Sequence, residues 1–154
     1  MIDTPKIVRT EARLAAVIHI AVPRAEMMRA FGPAVAELLA VVSAQGVGPA
    51  GPVFAHHLRM EPGIFDFELG VAVTSPVSPS GRVAPGKLPA TTVARTIYHG
   101  PYDGLPSAWG EFEAWIAAEG HESAADLWEC YVEGPHSSPD PSTWRTELNR
   151  PLLR

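Results

Sequence analysis

A single cysteine, Cys130, among 154 residues excludes an internal disulfide and fits a cytoplasmic setting. Charge is also sparse. Charged residues make up 19 %, the formal net charge is −5, and no run of Lys and Arg offers a basic face. Direct binding of nucleic acid needs such a face and is not expected. No apolar stretch approaches the roughly 20 residues of a membrane span, so no membrane partner is expected. The N-terminal MIDTPKIVRTEAR carries acidic and polar residues where a signal peptide needs an apolar run. GxSxG and the P-loop are both missing, which argues against serine-hydrolase and P-loop nucleotide chemistry. HxxxH and CxxC spacings are missing too. His56 and His57 are neighbours on a predicted strand and point to opposite faces, so they do not chelate one ion. Neither a metal nor a cofactor is expected.

What remains is an apolar, turn-rich chain of one domain's length, 46 % hydrophobic with 16 prolines and 13 glycines. Residues 6–22 read as extended, most clearly over 16–22. A helix is predicted next, with Pro23 as an early residue and Met27, Phe31, Val35, Leu38 and Val42 at helical spacing. Gly46 ends it, and Pro33 inside it predicts a kink or a restart. GPVFAHHLRM reads as a strand. In FDFELGVAV, Phe65, Phe67, Leu69, Val71 and Val73 alternate on one face. SPVSPSGRVAPGKLP, rich in Pro, Ser and Gly, reads as a linker without strand or helix, spanning about 76–90.

The order then repeats. TTVARTIYH is a strand. GLPSAWGEFEAWIAAEG is a helix with Leu105, Trp109, Phe112 and Ile116 on one face and Gly120 at its end. DLWECYVEGP and STWRTELNRPL are strands, and Trp144, Thr146 and Leu148 alternate in the second. The fold class is therefore α+β: two β-α-β-β (SHS2-like) repeats, about 8–75 and 91–152, around a pseudo-twofold axis with a ligand cleft between them.

DLWECYVEGP poses the functional question, because Glu129 interrupts an otherwise apolar strand. Alternation sets Trp128, Cys130 and Val132 on one face and Leu127, Glu129 and Tyr131 on the other. The first set suits packing on the helix 104–120, which turns the second toward the cleft. There burial raises the carboxyl's pKa, and a buried charge requires a partner. A ligand cation, an Arg or the hydroxyl of Tyr98 or Tyr102 each meets that requirement. Tyr131 either stacks on a ligand or donates to it, or simply packs. Trp109 lies on the apolar stripe, where it serves the core or the cleft wall. Tyr98 and Tyr102 flank the HGP turn, and pattern alone does not choose between them. His57 matches Tyr131 across the repeat and faces the cleft from the other half. Glu68 and Glu147 read as solvated. Cys130 falls on the packing face with no histidine base beside it.

YHGPYDGL, AWGEFEAWIAAEG, LWECYVEGP and DPSTWRTELNRPL, with GPVFAHHL and FDFELGVAV before them, resemble the GyrI-like small-molecule-binding domain, also called the bacterial transcription-activator effector-binding domain. The resemblance covers roughly residues 8–152. It implies a Glu at the position of Glu129 that pairs with cationic, lipophilic aromatic ligands, with surrounding rings contributing cation–π contacts. Many similar domains follow a DNA-binding region. Here the chain begins almost at the first strand, so a stand-alone member is expected. Three roles are implied. The first is binding, by sensing or sequestration, of hydrophobic cationic or polycyclic aromatic molecules at Glu129, Tyr131, Trp109, Tyr98, Tyr102 and His57. The second is hydrolysis of strained cyclopropane rings in DNA-alkylating natural products, with Glu129 and Tyr131 as catalytic residues. The third is a protein partner, such as gyrase or a separate regulator.

Overall fold

The computed structural model describes residues 2–61, 63–134 and 137–153. The chain divides into two compact units, Glu11–Ala90 (the first) and Met1–Thr10 with Thr91–Arg154 (the second).

In the first unit, strand β2 (Arg13–Pro23) leads through a 3-10 turn into helix α1 (Met27–Ala44). Strands β3 (Val53–Glu61), β4 (Ile64–Ala72) and β5 (Ala84–Leu88) follow. All pairings are antiparallel, and the strand order is β3-β4-β2-β5. Ile18 lies across from Leu69 and Ile20 across from Phe67, which stacks the β-branched residues of β2 on the alternating apolar face of β4. Phe67, Leu69 and Val71 are fully buried and Val73 nearly so, as their alternation predicts. Helix α1 packs against β2 and β4 and buries Ala34, Leu38 and Val42 completely. Each such aliphatic side chain contributes roughly 1.5–3 kcal/mol.

Three expectations are corrected here. Pro23 closes β2 instead of opening the helix, because its fixed φ and missing N–H also suit the end of a strand. Helix α1 runs through Pro33 as one element, so the helix does not restart there. The lost hydrogen bond falls near the start of the helix, and the burial of Ala34, Leu38 and Val42 beyond it offsets the cost. Met27, at the start of the predicted stripe, has its side chain outside the described set. Finally, the Pro/Ser/Gly segment does form a strand. Ala84–Leu88 pairs with β2 at the edge of the unit, where Pro85 lacks no needed donor. Gly86 there lies against the isopropyl group of Val17, and a Cβ would collide with it.

The second unit opens with β1 (Lys6–Arg9), so the extended segment predicted at 6–22 is two strands in two different units. After β1 come β6 (Thr92–His99), a 3-10 turn Tyr102–Gly104, helix α2 (Leu105–Ala118), β7 (Leu127–Glu133) and β8 (Arg145–Pro151). The order is β1-β6-β8-β7, again antiparallel throughout. Ala94, Tyr98, Leu148 and Leu152 form the core with Ala108, Phe112 and Ile116 of α2, and Leu105, Trp109 and Trp115 pack at its rim. The order therefore matches that of the first unit: β6, β7, β8 and β1 occupy the places of β2, β3, β4 and β5. Among the described residues, no helix is long and apolar enough to cross a membrane.

Candidate functional site

The α2-covered face of the second unit carries Glu129. Register settles this. Glu129 lies across from Leu148, which lies across from Thr96, and Tyr131 lies across from Thr146, which lies across from Tyr98. Directly opposed residues share a face, and Tyr98 and Leu148 pack with α2. The expected orientation of β7 is therefore reversed. Glu129 and Tyr131 point toward the helix, while Trp128 and Cys130 point away from it. Period-two alternation sorts a strand into two sets but does not say which set meets a helix. Polarity misled because α2 itself brings a donor. The indole N–H of Trp109 donates to Glu129 Oε1 at 3.1 Å. Val132 is exposed, at a bulge between Tyr131 and Glu133 that breaks the alternation.

Glu129 is only 9 % exposed. Its second oxygen, Oε2, accepts from the Tyr131 hydroxyl at 3.4 Å, a long contact. Neither partner carries a positive charge. Burial pushes the carboxyl up to about 7, and the Trp109 and Tyr131 hydrogen bonds only partly oppose it. The same burial, followed by the nearby Glu129 charge, raises the phenols of Tyr131 and Tyr102. At neutral pH Glu129 thus exchanges its proton readily, while both tyrosines stay protonated.

Aromatic rings surround this carboxyl. Tyr102, on the turn before α2, meets Tyr131 edge-on at 5.7 Å and Trp144 at 4.9 Å between ring centroids. Trp109 rests on Phe112 at 5.7 Å. Tyr98 plays a different part. Its hydroxyl donates to the Pro101 carbonyl at 2.8 Å and so holds the turn that carries Tyr102. Gly104, the residue before α2, has no room for a Cβ because the Tyr98 hydroxyl fills that space. Five of the six anticipated residues, Glu129, Tyr131, Trp109, Tyr102 and Tyr98, come together in this unit.

His57 belongs to the first unit. It stacks on Phe67 at 5.0 Å and meets Phe65 edge-on at 5.6 Å. Its Nδ1 is buried without a hydrogen-bond partner among the described residues. Burial, with a smaller contribution from His56, lowers its pKa to about 4, so the ring is neutral at pH 7.

Trp144 and Thr146 were not anticipated as site residues. The signal was available: they alternate with Leu148, Trp144 just before and Thr146 within the strand that flanks Glu129. Glu147, read as solvated, shares its carboxylate between Asn149, at 3.1 Å, and Arg95, at 3.4 Å, on the opposite face. Two shallow concavities of this unit lie by Asp3 and Thr4 and include neither Glu129 nor its aromatic neighbours. Among the described residues no group of His, Cys, Asp and Glu is arranged to hold a metal.

A family model for the GyrI-like small molecule binding domain matches residues 3–152. The chain belongs to this family. Among curated proteins none matches it. Solved structures do. The EcmrR C-terminal domain superposes with a TM-score of 0.84 at 20 % identity, covering 98 % of both chains. In an EcmrR–DNA complex the TM-score is 0.81 at 21 % identity, and the present chain spans 57 % of that longer chain. SAV2435 bound to tetraphenylphosphonium superposes at 0.69 and 10 % identity, covering 97 % of this chain and 94 % of that one. A hydrolase from Listeria innocua gives 0.67 at 13 % identity, with 96 % and 91 % covered. At such identities the likeness is one of fold, and these neighbours carry the GyrI-like architecture with divergent side chains.

Proposed function

We propose that this GyrI-like chain binds hydrophobic cations at Glu129. The observation that carries the reading is a buried carboxyl among aromatic rings whose two hydrogen-bond partners, Trp109 and Tyr131, are both neutral. An ionised carboxylate in such a place is costly until a cation joins it. Aromatic faces at Tyr102, Trp144 and Tyr131 suit a lipophilic cation, through stacking and cation–π attraction. The family, and a neighbour of like fold solved with tetraphenylphosphonium, agree with this choice. Ligand entry would displace the indole N–H of Trp109 or the hydroxyl of Tyr131, because both are bonded to a carboxyl that is buried.

Hydrolysis is a second reading, favoured by one observation. Glu129 titrates near 7 with a hydroxyl at 3.4 Å, a setting suited to taking a proton from water. Strained cyclopropanes of lipophilic natural products are the substrate class proposed for it.

One experiment addresses both. Cationic, neutral and anionic polycyclic compounds are titrated into wild type and Glu129→Gln while tryptophan fluorescence is followed. The mixtures are then analysed by mass. The binding reading expects saturation by cations and a loss of about tenfold or more in the variant, the scale of a buried charge contact. Equal binding of all three charge classes would reject it. Turnover of a cyclopropane probe by wild type and not by Glu129→Gln supports hydrolysis, and unchanged turnover in the variant rejects that role for Glu129.

A further inference from the structure

Thr146 is wholly buried, and its hydroxyl has no hydrogen-bond partner among the described residues. Other threonine hydroxyls are bonded. Thr96 donates to the Asp3 carbonyl at 2.7 Å, Thr143 to the Asp140 carbonyl at 2.7 Å and Thr74 to the Val47 carbonyl at 3.2 Å. A buried, unsatisfied hydroxyl is costly, and valine would fill the same volume without that cost. Its location gives the hydroxyl a use. Thr146 lies directly between Tyr98 and Tyr131 on the α2-covered face, one same-face step from the Leu148–Glu129 pair. Opposed and diagonal neighbours on one sheet face have Cβ atoms within roughly 5–8 Å. The hydroxyl and the carboxyl therefore lie close enough on one face for a single ligand group to contact both.

The carboxylate is unevenly occupied in a matching way. Oε1 is held by Trp109 at 3.1 Å, while Oε2 has only the long 3.4 Å contact from Tyr131. Oε2 and Thr146 Oγ1 are thus two acceptors with unused capacity on one face.

We propose that Thr146 is a second polar contact of the Glu129 site, and that the site takes protonated amines, which carry an N–H, in preference to quaternary cations. The proposal rests on the cation-binding reading above. An ammonium N–H reaches Oε2 or Thr146 Oγ1, and one with more than a single N–H reaches both. A quaternary nitrogen or phosphonium centre offers the same charge but leaves the threonine hydroxyl unsatisfied. It is bound through charge and rings alone.

The test is a matched pair of probes: a naphthylmethyl amine protonated at neutral pH, and the trimethyl(naphthylmethyl)ammonium ion. Both are titrated into wild type, Thr146→Val, Thr146→Ser and Glu129→Gln, and melting midpoints are recorded without ligand. Wild type is expected to prefer the amine by about tenfold, the scale of a charge-assisted hydrogen bond. Thr146→Val should remove that preference by weakening the amine alone, and Thr146→Ser should retain it. Thr146→Val should melt no lower than wild type. Equal weakening of both probes in Thr146→Val would overturn the proposal, as would an unchanged preference or a lowered melting midpoint. If both probes bind through Glu129 with no preference in wild type, the amine inference fails and cation binding stands. If neither binds, both fail.

Discussion

Glu129 and His57 are buried titratable groups with opposite linkage to pH. The Glu129 carboxyl is raised to about 7 from an ordinary value of 4.5, so the folded state holds a proton that the unfolded chain has released between those two pH values. Its contribution is fully present below about pH 4.5 and is lost as pH rises through about 7. His57 is depressed to about 4, so its contribution is present above the ordinary histidine value and is lost as pH falls toward 4. Between about pH 5 and the ordinary histidine value of 6.5 the two oppose each other, because His57 regains its contribution as pH rises while Glu129 loses its own. Glu129→Gln removes only the Glu129 part, so its stability relative to wild type is expected to rise by roughly 2–3 kcal/mol between about pH 5 and about pH 8. Urea unfolding of both proteins at the two pH values checks this, and a difference between them that does not change with pH would show that Glu129 is not the group responsible. At this scale the sequence was informative about which residue mattered. A carboxyl in an apolar strand is conspicuous in any alternation pattern. Its hydrogen-bond partners were harder to read. Trp109 is twenty positions away on a helix, and its donor is invisible to a pattern that counts tryptophan as apolar.

At the scale of elements, the turn before α2 decides where the aromatic wall stands. The Tyr98 hydroxyl binds the Pro101 carbonyl and fills the space beside Gly104, so strand β6 grips the entry to the helix that carries Trp109. Tyr102 lies within the same turn. Gly104→Ala is expected to cost roughly 1–3 kcal/mol by overpacking and to weaken ligand binding through displaced Tyr102 and Trp109. Tyr98→Phe added to Gly104→Ala should recover part of the loss, because the two changes share one contact. Additive losses in thermal unfolding of the single and double variants would contradict that account. The helices and the inner strands were legible from periodicity, and the glycines at 46 and 120 marked the helix ends. Strand β5 was not, since Pro and Gly argue against a strand everywhere except at an edge. The division of residues 6–22 into two strands was hidden as well. Local sequence records that a segment is extended, but its pairing partner, β6 in one case and β4 with β5 in the other, lies far along the chain.

For the whole molecule, the same strand order in both units and the family match over residues 3–152 agree with the β-α-β-β order read from the sequence. We propose that the two units arose by duplication. The first unit then carries His57 where the second carries Tyr131, and Ala55 where the second carries Glu129, when Leu69 and Leu148 are aligned in the two registers. Duplication followed by divergence would explain why only one unit holds the carboxyl. Family and fold were therefore legible from ordered motifs, whereas the face presented to α2 depended on three-dimensional pairing. Ligand choice depends on a few polar atoms in that packing, and one of them, the Thr146 hydroxyl, looks in sequence like an ordinary strand residue. The most direct measurement is the affinity of wild type and Glu129→Gln for tetraphenylphosphonium from about pH 5 to about pH 8. Ionisation of Glu129 should make wild-type affinity rise with pH and level off above about 7, and the variant should bind weakly with no such rise. Affinity that is independent of pH and equal in the two proteins would contradict a cation site at Glu129.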